Sequence, residues 1–210
     1  MLIPLDYIYK KYEMDIKGII HIGAHLCEEL NEYLKFNIER DKIIWVEANP
    51  ELVKKNNNID STRKIKNFIC CDTDVGYTKL NITNNTASSS ILDFGSHRIS
   101  YPSVRYINSV EVKNKRLDTM YKEEKLPDDF ANFINIDIQG AELLALKGMG
   151  NLLNNFDYLY LEINKDYVYK NCCLVNEIDD YLKKFNFERV ETKWTNENWG
   201  DGFYIKKNIL

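Results

Sequence analysis

Residues 17–25 read KGIIHIGAH, and this β-branched run that ends at a glycine decides the fold. Such a run predicts a buried strand, and Gly23 permits a sharp turn where the strand ends. Similar short apolar runs recur along the chain, separated by helical patterns. They predict further strands at residues 43–46, 66–71, 130–136 and 158–163.

The segments between these runs are typical of helices. Asn49 and Pro50 form an N-cap and a first helical position, and apolar spacing predicts helices over residues 27–36, 141–147 (ended by Gly148) and 175–185. Alternating strands and helices predict a mostly parallel sheet covered on both faces. Residues 188–194 and 202–206 are expected to close it as an antiparallel pair. We therefore predict an α/β, Rossmann-like sandwich forming a single domain over residues 1–210.

Residues 72–119 differ from the rest because they are rich in Ser, Thr and Asn. This composition favours hairpins and loops over a long helix, and residues 78–82 and 109–113 alternate as half-exposed strands do. We expect the stretch 81–110 to select the acceptor of any transferred group.

Composition excludes several classes of protein. The 28 basic and 32 acidic residues give a net charge of −4, which disfavours a protein that binds mainly by neutralising phosphates. No apolar run is long enough to span a membrane, and charges interrupt the amino-terminal segment where a signal peptide needs apolar residues. Five cysteines, at positions 27, 70, 71, 172 and 173, lack disulfide or zinc spacing and favour reduced thiols in the cytoplasm.

Three features follow predicted strands: the turn at Gly23, the carboxylate of Glu47 and the carboxylate of Asp137. Ligands of open α/β sheets bind beyond the carboxyl ends of strands, and an acidic residue after the second strand can accept hydrogen bonds from ribose hydroxyls. A dinucleotide fingerprint would need glycines at 25 and 28, where the chain has His25 and Glu28. The pattern therefore indicates a nucleoside cofactor without a pyrophosphate cradle.

These stretches resemble the FkbM family of S-adenosylmethionine-dependent methyltransferases. The block NIDIQGAELLALKGM at 135–149 is the most specific, and SSSIL at 88–92 supports it. The other matching stretches are IIHIGAHLCEE (19–29), WVEANPELV (45–53), RLDT (116–119), YLEIN (160–164), VYKNCCLVNEIDDYLKKFNF (168–187) and WTNENWGDGFYI (194–205). Many members carry Asp-x-Gly-Ala-Asn-x-Gly at the first turn, where this chain has His21, His25 and Cys27 for the Asp, the Asn and the second Gly.

The resemblance implies roles for particular residues. Gly23 and Ala24 would line the amino-acid end of S-adenosylmethionine, and Glu47 would hold its ribose. His21 is placed at the same cofactor site because it stands at the family's aspartate position.

The resemblance further implies that Asp72 lies near the adenine and Asp137 near the sulfonium, with no metal required. Methyl transfer needs positioning and removal of the acceptor's proton. Asp137 is the first candidate for the general base, and His25 and Glu162 are the alternatives.

Several functions remain open at this level. The leading one is O-methylation of a hydroxyl on a sugar, glycan or small molecule, with nucleic acid and membrane not expected as partners. An RNA cap or nucleotide ribose methyltransferase is the second, and a binding module that keeps the fold without turnover is the third. A nicotinamide oxidoreductase shares the fold and Glu47 but needs the missing glycine cradle.

Overall fold

The computed structural model describes residues 1–210 and contains two β-sheets flanked by helices. The strands, numbered in chain order, are β1 (Ile19–Ile22), β2 (Ile43–Glu47), β3 (Lys64–Asn67), β4 (Ile69–Cys70), β5 (Tyr77–Thr83), β6 (Tyr106–Lys115), β7 (Phe133–Ile136), β8 (Tyr158–Asn164), β9 (Phe187–Trp194) and β10 (Trp199–Lys206). The helices are α1 (Leu5–Lys11), α2 (Leu30–Leu34), α3 (Pro50–Ile59), α4 (His97–Ser100), α5 (Leu117–Glu123), α6 (Glu142–Met149) and α7 (Val175–Lys183). None of the helices combines the length and the apolar character that crossing a membrane requires.

The larger sheet has seven strands in the order β3-β2-β1-β7-β8-β10-β9. The first five strands pair in parallel, and β10 and β9 close the sheet as antiparallel neighbours. This arrangement confirms the predicted α/β, Rossmann-like sandwich with its closing antiparallel pair. The strand order reverses between β1 and β7, the position at which open α/β sheets bind their ligands.

Alternate side chains of each strand enter two different cores. Ile20 and Ile22 of β1 belong to a cluster of 27 buried residues that also contains side chains of α5, α6 and α7. Ile19 belongs to a second cluster of 18 buried residues, which includes Ile8 of α1 and Tyr33 of α2. Apolar burial on both faces therefore holds the sheet in the middle layer and leaves its strand ends free for a site.

The smaller sheet has the order β4-β6-β5 and comes mainly from the Ser-, Thr- and Asn-rich region. Strands β5 and β6 pair antiparallel, with Thr78 opposite Val112, which confirms the two predicted half-exposed strands. Leu80, Ile82 and Val112 bury one side of this sheet in a small core with Ile69 and Cys71.

Three predicted elements differ in the structure. The helix expected over 27–36 spans only Leu30–Leu34, because Cys27 has a φ of +57° and the residues before α2 form turns. The strand expected over 66–71 is divided between β3 in the large sheet and β4 in the small one.

The helix expected to stop at Gly148 continues to Met149 and ends at Gly150, which has a φ of +51°. Gly148 serves close packing instead, since a Cβ there would lie 2.0 Å from the carbonyl oxygen of Cys71. Helices α1, α4 and α5 were not predicted from the sequence.

Candidate active site

A cleft of about 630 Å³ opens at the carboxyl ends of β1, β2 and β7. Gly23, Glu47 and Asp137 all line it, so the structure brings the three sequence features together. The opposite wall is formed by the loop that follows β5. The residues lining the cleft from that loop are Thr86, Ala87, Ser89, Ser90 and Ile91.

Gly23 is required by the close approach of two loops. Its φ is +89°, and a Cβ at this position would lie 1.8 Å from the carbonyl oxygen of Asp137. The backbone N–H groups of Gly23 and Ala24 both donate to the carbonyl of Val46, at 2.9 and 3.0 Å. These two N–H groups are therefore committed within the protein, and Ala24 is fully buried behind the cleft.

Glu47 is fixed by two backbone donors. Its Oε2 accepts from the N–H of His25 at 2.8 Å, and its Oε1 accepts from the N–H of Asn49 at 2.7 Å. Burial raises the pKa of Glu47, and these two hydrogen bonds oppose that shift. A carboxylate has about four acceptor sites, so Glu47 can still accept two hydrogen bonds from a ligand.

Asp137 and Gln139 form the centre of a polar network. Gln139 Nε2 donates to Asp137 Oδ1 at 2.7 Å and to Glu162 Oε2 at 2.8 Å, while the Tyr169 hydroxyl donates to Gln139 Oε1 at 2.7 Å. The Tyr169 bond orients the amide so that its NH₂ faces both carboxylates. Asp137 itself is exposed to the cleft.

Charge in this network is constrained by its surroundings. The protein around Asp137 partly desolvates its carboxylate and raises its pKa, and the Gln139 hydrogen bond opposes the shift. Glu162 is 6% exposed, and burial together with the nearby carboxylates of Asp137 and Glu142 raises its pKa well above the usual value. Asp137 is therefore the carboxylate more readily ionised of the two that Gln139 bridges.

Glu142 holds the loop that carries Asp137 and Gln139. It is completely buried at the start of α6, and its Oε1 accepts from the N–H groups of Ile138 and Gly140 at 3.1 and 3.0 Å. Burial raises the pKa of Glu142 to about 7. Glu142 therefore ties the loop before α6 to the first turn of that helix.

His25 crosses from the first turn to the opposite wall. Its Nδ1 lies 2.6 Å from Glu28 Oε1 and its Nε2 lies 2.8 Å from Thr86 Oγ1. The Glu28 hydrogen bond raises the pKa of His25. Because both ring nitrogens are occupied, this arrangement favours a role in holding the Thr86 loop over one in removing a proton.

Besides Ala24, two predicted cofactor residues do not line the cleft. The His21 side chain is buried on the far face of the sheet, with its ring centroid 4.9 Å from that of Trp45 and its Nδ1 3.0 Å from the Tyr33 hydroxyl. Burial lowers the pKa of His21 to about 4. Asp72 is exposed beyond β4, and its carbonyl accepts from Arg116 outside the cleft.

Apolar residues occupy the part of the cleft for which Asp72 was predicted. The third predicted strand, residues 66–71, supplies Phe68, Ile69 and Cys70 to this part of the lining. Leu52, Leu80 and Ile91 also line it. The sequence therefore placed the correct segment at the cleft, but the residues that line it precede Asp72 by two to four positions.

A second cavity, of about 850 Å³, adjoins the cleft. Ala87, Asp137 and Gln139 line both spaces, so Asp137 stands at their junction. Glu162 lines only the second cavity, together with five further polar or aromatic side chains. These are His97, Tyr101, Tyr169 and Asp201, with Trp199.

Signals for some of these residues were present. Gln139 belongs to the block at 135–149, Tyr169 to that at 168–187, and Asp201 to that at 194–205. Because these stretches resemble the family, the three residues could have been identified as site residues from the sequence. Nothing in the local sequence distinguishes His97. No group of three or more His, Cys, Asp or Glu residues is arranged to hold a metal ion.

Comparisons with known proteins agree with this geometry. The model of the methyltransferase FkbM domain matches residues 21–189. The crystal structure of a methyltransferase FkbM from Methylobacillus flagellatus KT is similar over 90% of this chain and 43% of that one, with a TM-score of 0.53 and 14% identity. A SAM-dependent methyltransferase from Aquifex aeolicus is similar over 96% of this chain and 88% of that one, with a TM-score of 0.51 and 12% identity.

Two further relatives have other names. A candidate tRNA methyltransferase from Streptococcus pneumoniae is similar over 98% of this chain and 71% of that one, with a TM-score of 0.51 and 10% identity. A curated protein named heat shock transcription factor, from Enterocytozoon bieneusi (strain H348), is 27% identical over 126 residues, 59% of this chain and 48% of its own length. The chain thus spans about half the length of that curated relative. The family match covers most of the chain, and the chain belongs to the FkbM methyltransferase family.

Proposed function

We propose that this protein is an S-adenosylmethionine-dependent methyltransferase that methylates a hydroxyl of an unphosphorylated sugar, glycan or small molecule. The observation that carries the proposal is the position of Asp137. Its carboxylate stands where a cleft suited to a nucleoside meets a second cavity with room for an acceptor.

The cleft residues fit the cofactor. Glu47 has free acceptor sites for the two ribose hydroxyls, and the apolar segment around Phe68 and Ile69 suits a flat purine. The carboxylate of Asp137 favours a neighbouring positive charge such as a sulfonium. Gly23 keeps the first turn close to Asp137 and so sets the depth of the cleft.

S-adenosylmethionine would supply an electrophilic methyl group to the acceptor oxygen and would leave as the thioether S-adenosylhomocysteine. The protein has to orient the acceptor and remove its proton. We assign proton removal to Asp137, which takes the hydroxyl proton as the oxygen forms its new bond. Gln139 holds Asp137 in place and, through its hydrogen bond, favours the ionised form that a base needs.

The lining of the cavities favours a small acceptor over RNA. Neither the cleft nor the second cavity contains a Lys or Arg among its lining residues. Nucleic acids are bound largely through contacts between basic side chains and phosphates, and the net charge of −4 supplies no general attraction. The resemblance to a candidate tRNA methyltransferase therefore concerns the fold.

The proposal can be tested with cofactor labelled in its methyl group. The protein is incubated with unphosphorylated saccharides and small metabolites in one reaction and with bulk tRNA in another, and an Asp137→Asn variant serves as the control. We expect label in the unphosphorylated fraction only, and none with the variant. Label in RNA would overturn the acceptor class, and cofactor binding without any transfer would support a non-catalytic binding module.

A further inference from the structure

Two carboxylates of the second cavity face each other across neighbouring strands. Glu162 of β8 and Asp201 of β10 are direct register partners in the antiparallel pair. They are 6% and 5% exposed, and both line the second cavity without lining the cofactor cleft. Asp137, by contrast, borders both spaces.

Each of these two carboxylates keeps one oxygen without a protein partner. Glu162 Oε2 accepts from Gln139, while its Oε1 accepts from no protein donor. Asp201 Oδ2 accepts from the Tyr160 hydroxyl and from the Leu2 N–H, while its Oδ1 accepts from none. Neither oxygen is among the fully buried atoms that lack a partner, so both are accessible from the cavity and can accept a hydrogen bond from a ligand.

A third polar group of the cavity also lacks a partner. The imidazole of His97 is 5% exposed, and its Nδ1 is buried without a hydrogen bond. Burial lowers the pKa of His97, so the ring is neutral and supplies no balancing positive charge. No Lys or Arg lines the cavity either.

Aromatic rings complete the wall. Tyr101, Tyr169 and Trp199 line the cavity, and the indole N–H of Trp199 donates to the Tyr101 hydroxyl at 3.0 Å. Faces of such rings attract cations electrostatically. The only cationic group at the cavity is the amino terminus of Met1, which acts on Asp137 and forms no ion pair with Glu162 or Asp201. A pair of carboxylates with free oxygens beside aromatic rings is complementary to a positively charged ligand.

We propose that the second cavity takes an acceptor that carries an ammonium group beside its hydroxyl, with the ammonium between Glu162 and Asp201 and the hydroxyl at Asp137. This inference rests on the proposed function and narrows its acceptor to a hydroxylated amine, such as an amino sugar. The positive charge of a bound ammonium opposes the rise in the pKa of Glu162 that burial and the neighbouring carboxylates cause, and the ion pair keeps the ammonium protonated and without a free lone pair. The methyl group is therefore expected on oxygen, not on nitrogen.

The test compares three ring compounds that differ in charge. D-glucosamine, D-glucose and D-glucose 6-phosphate are titrated, by ligand-observed NMR, into the full chain saturated with S-adenosylhomocysteine. We expect glucosamine to bind at least about tenfold more tightly than glucose, the size of one charge-assisted hydrogen bond, and glucose 6-phosphate to bind more weakly than glucose. Equal affinities, tighter binding of the phosphate or no binding of glucosamine would overturn the proposal.

Variants assign the preference to the two carboxylates. Glu162→Gln and Asp201→Asn, each checked for an unchanged melting temperature, should reduce the preference for glucosamine over glucose to about parity. Glu51→Gln, at an exposed position of α3, should leave it unchanged. A preference that survives in a folded Glu162→Gln variant contradicts the assignment, even where Asp201→Asn does not fold.

Calorimetry separates the two levels of the account. If S-adenosylmethionine does not bind the wild-type chain, the proposed function fails. If it binds and the preference for glucosamine is absent, or the methyl group is recovered on nitrogen, only the inference about the acceptor fails.

Discussion

The cofactor cleft and the second cavity are adjacent but differ in construction. The cleft is built where parallel strands β1, β2 and β7 end; most of its lining residues are hydrophobic, and Glu47 and Asp137 are its two carboxylates. The second cavity is built from the antiparallel end of the sheet and from loops, and it contains buried carboxylates and aromatic rings.

The difference matches the two tasks of a methyltransferase, which are to bind the cofactor and to select the acceptor. A nucleoside needs an apolar slot and a fixed acceptor for its sugar, which the parallel strand ends supply through short local motifs. An acceptor is recognised by charge and shape, and the polar residues that line the second cavity, such as His97, Glu162 and Asp201, lie far apart in the chain. Asp137 and Gln139 couple the two spaces because they line both.

The largest effect is expected from removing the proposed general base, Asp137, where the cleft meets the second cavity. Asp137→Asn should lower the rate of methyl transfer by about 10²–10⁴-fold, the range that general acid–base catalysis contributes. The side chain is exposed and hydrogen-bonded only to Gln139, so the free energy of unfolding should change little. Single-turnover rates and denaturant unfolding of the same samples check this, and a loss of stability that matches the loss of rate would make Asp137 structural.

The second largest effect is expected from a substitution that disturbs the backbone of the cleft at Gly23. Gly23→Ala should lower the free energy of unfolding by more than about 3 kcal/mol, because a positive φ and an overlap with the Asp137 carbonyl combine. Gly76→Ala is the matched control, since Gly76 has a φ of +80° and nothing within 4 Å of a Cβ. It should cost only about 1–2 kcal/mol in urea unfolding. Equal costs at the two positions would remove the close approach from the account.

A smaller effect concerns the support beneath the cleft. The pKa of Glu142 is raised by burial to about 7 from 4.5, so the folded state holds its proton more tightly than the unfolded state. Stability from this group is therefore full below about pH 4.5 and is lost as the pH rises towards 7. Glu142→Gln should remove that dependence and gain about 1–3 kcal/mol on wild type between pH 5 and pH 8. Urea unfolding at the two pH values measures it, and parallel pH curves for both proteins would contradict the assignment.

Much of the cofactor cleft was predictable because its residues follow directly after apolar strands. Gly23, Glu47 and Asp137 could be placed at one edge of the sheet from strand order alone, and the structure brings them together. The position of Asp72 could not be predicted in this way, because the strand expected before it is divided between two sheets and Asp72 is exposed outside the cleft.

Side-chain direction explains the other departure. In strands, alternate residues point to opposite faces, and His21 lies one residue before Ile22, whose side chain is in the other core. Its match to the family's aspartate position therefore did not bring its side chain to the cleft. The helix at 27–36 was overestimated because positive φ values at His25 and Cys27 are not visible in apolar spacing. The single-domain organisation and the cytoplasmic location stay predictions from the sequence.

The most direct test of the account is the affinity for S-adenosylmethionine of wild-type protein and Glu47→Ala, measured by titration calorimetry with Glu51→Ala as the control. We predict one site in the wild type, and a loss of about 1–3 kcal/mol in Glu47→Ala because ribose hydroxyls lose buried hydrogen-bond partners. S-adenosylhomocysteine should lose the same amount, since Glu47 is assigned to the sugar and not to the sulfonium. An unchanged dissociation constant in a folded Glu47→Ala variant, or no binding to the wild type, would contradict the central claim.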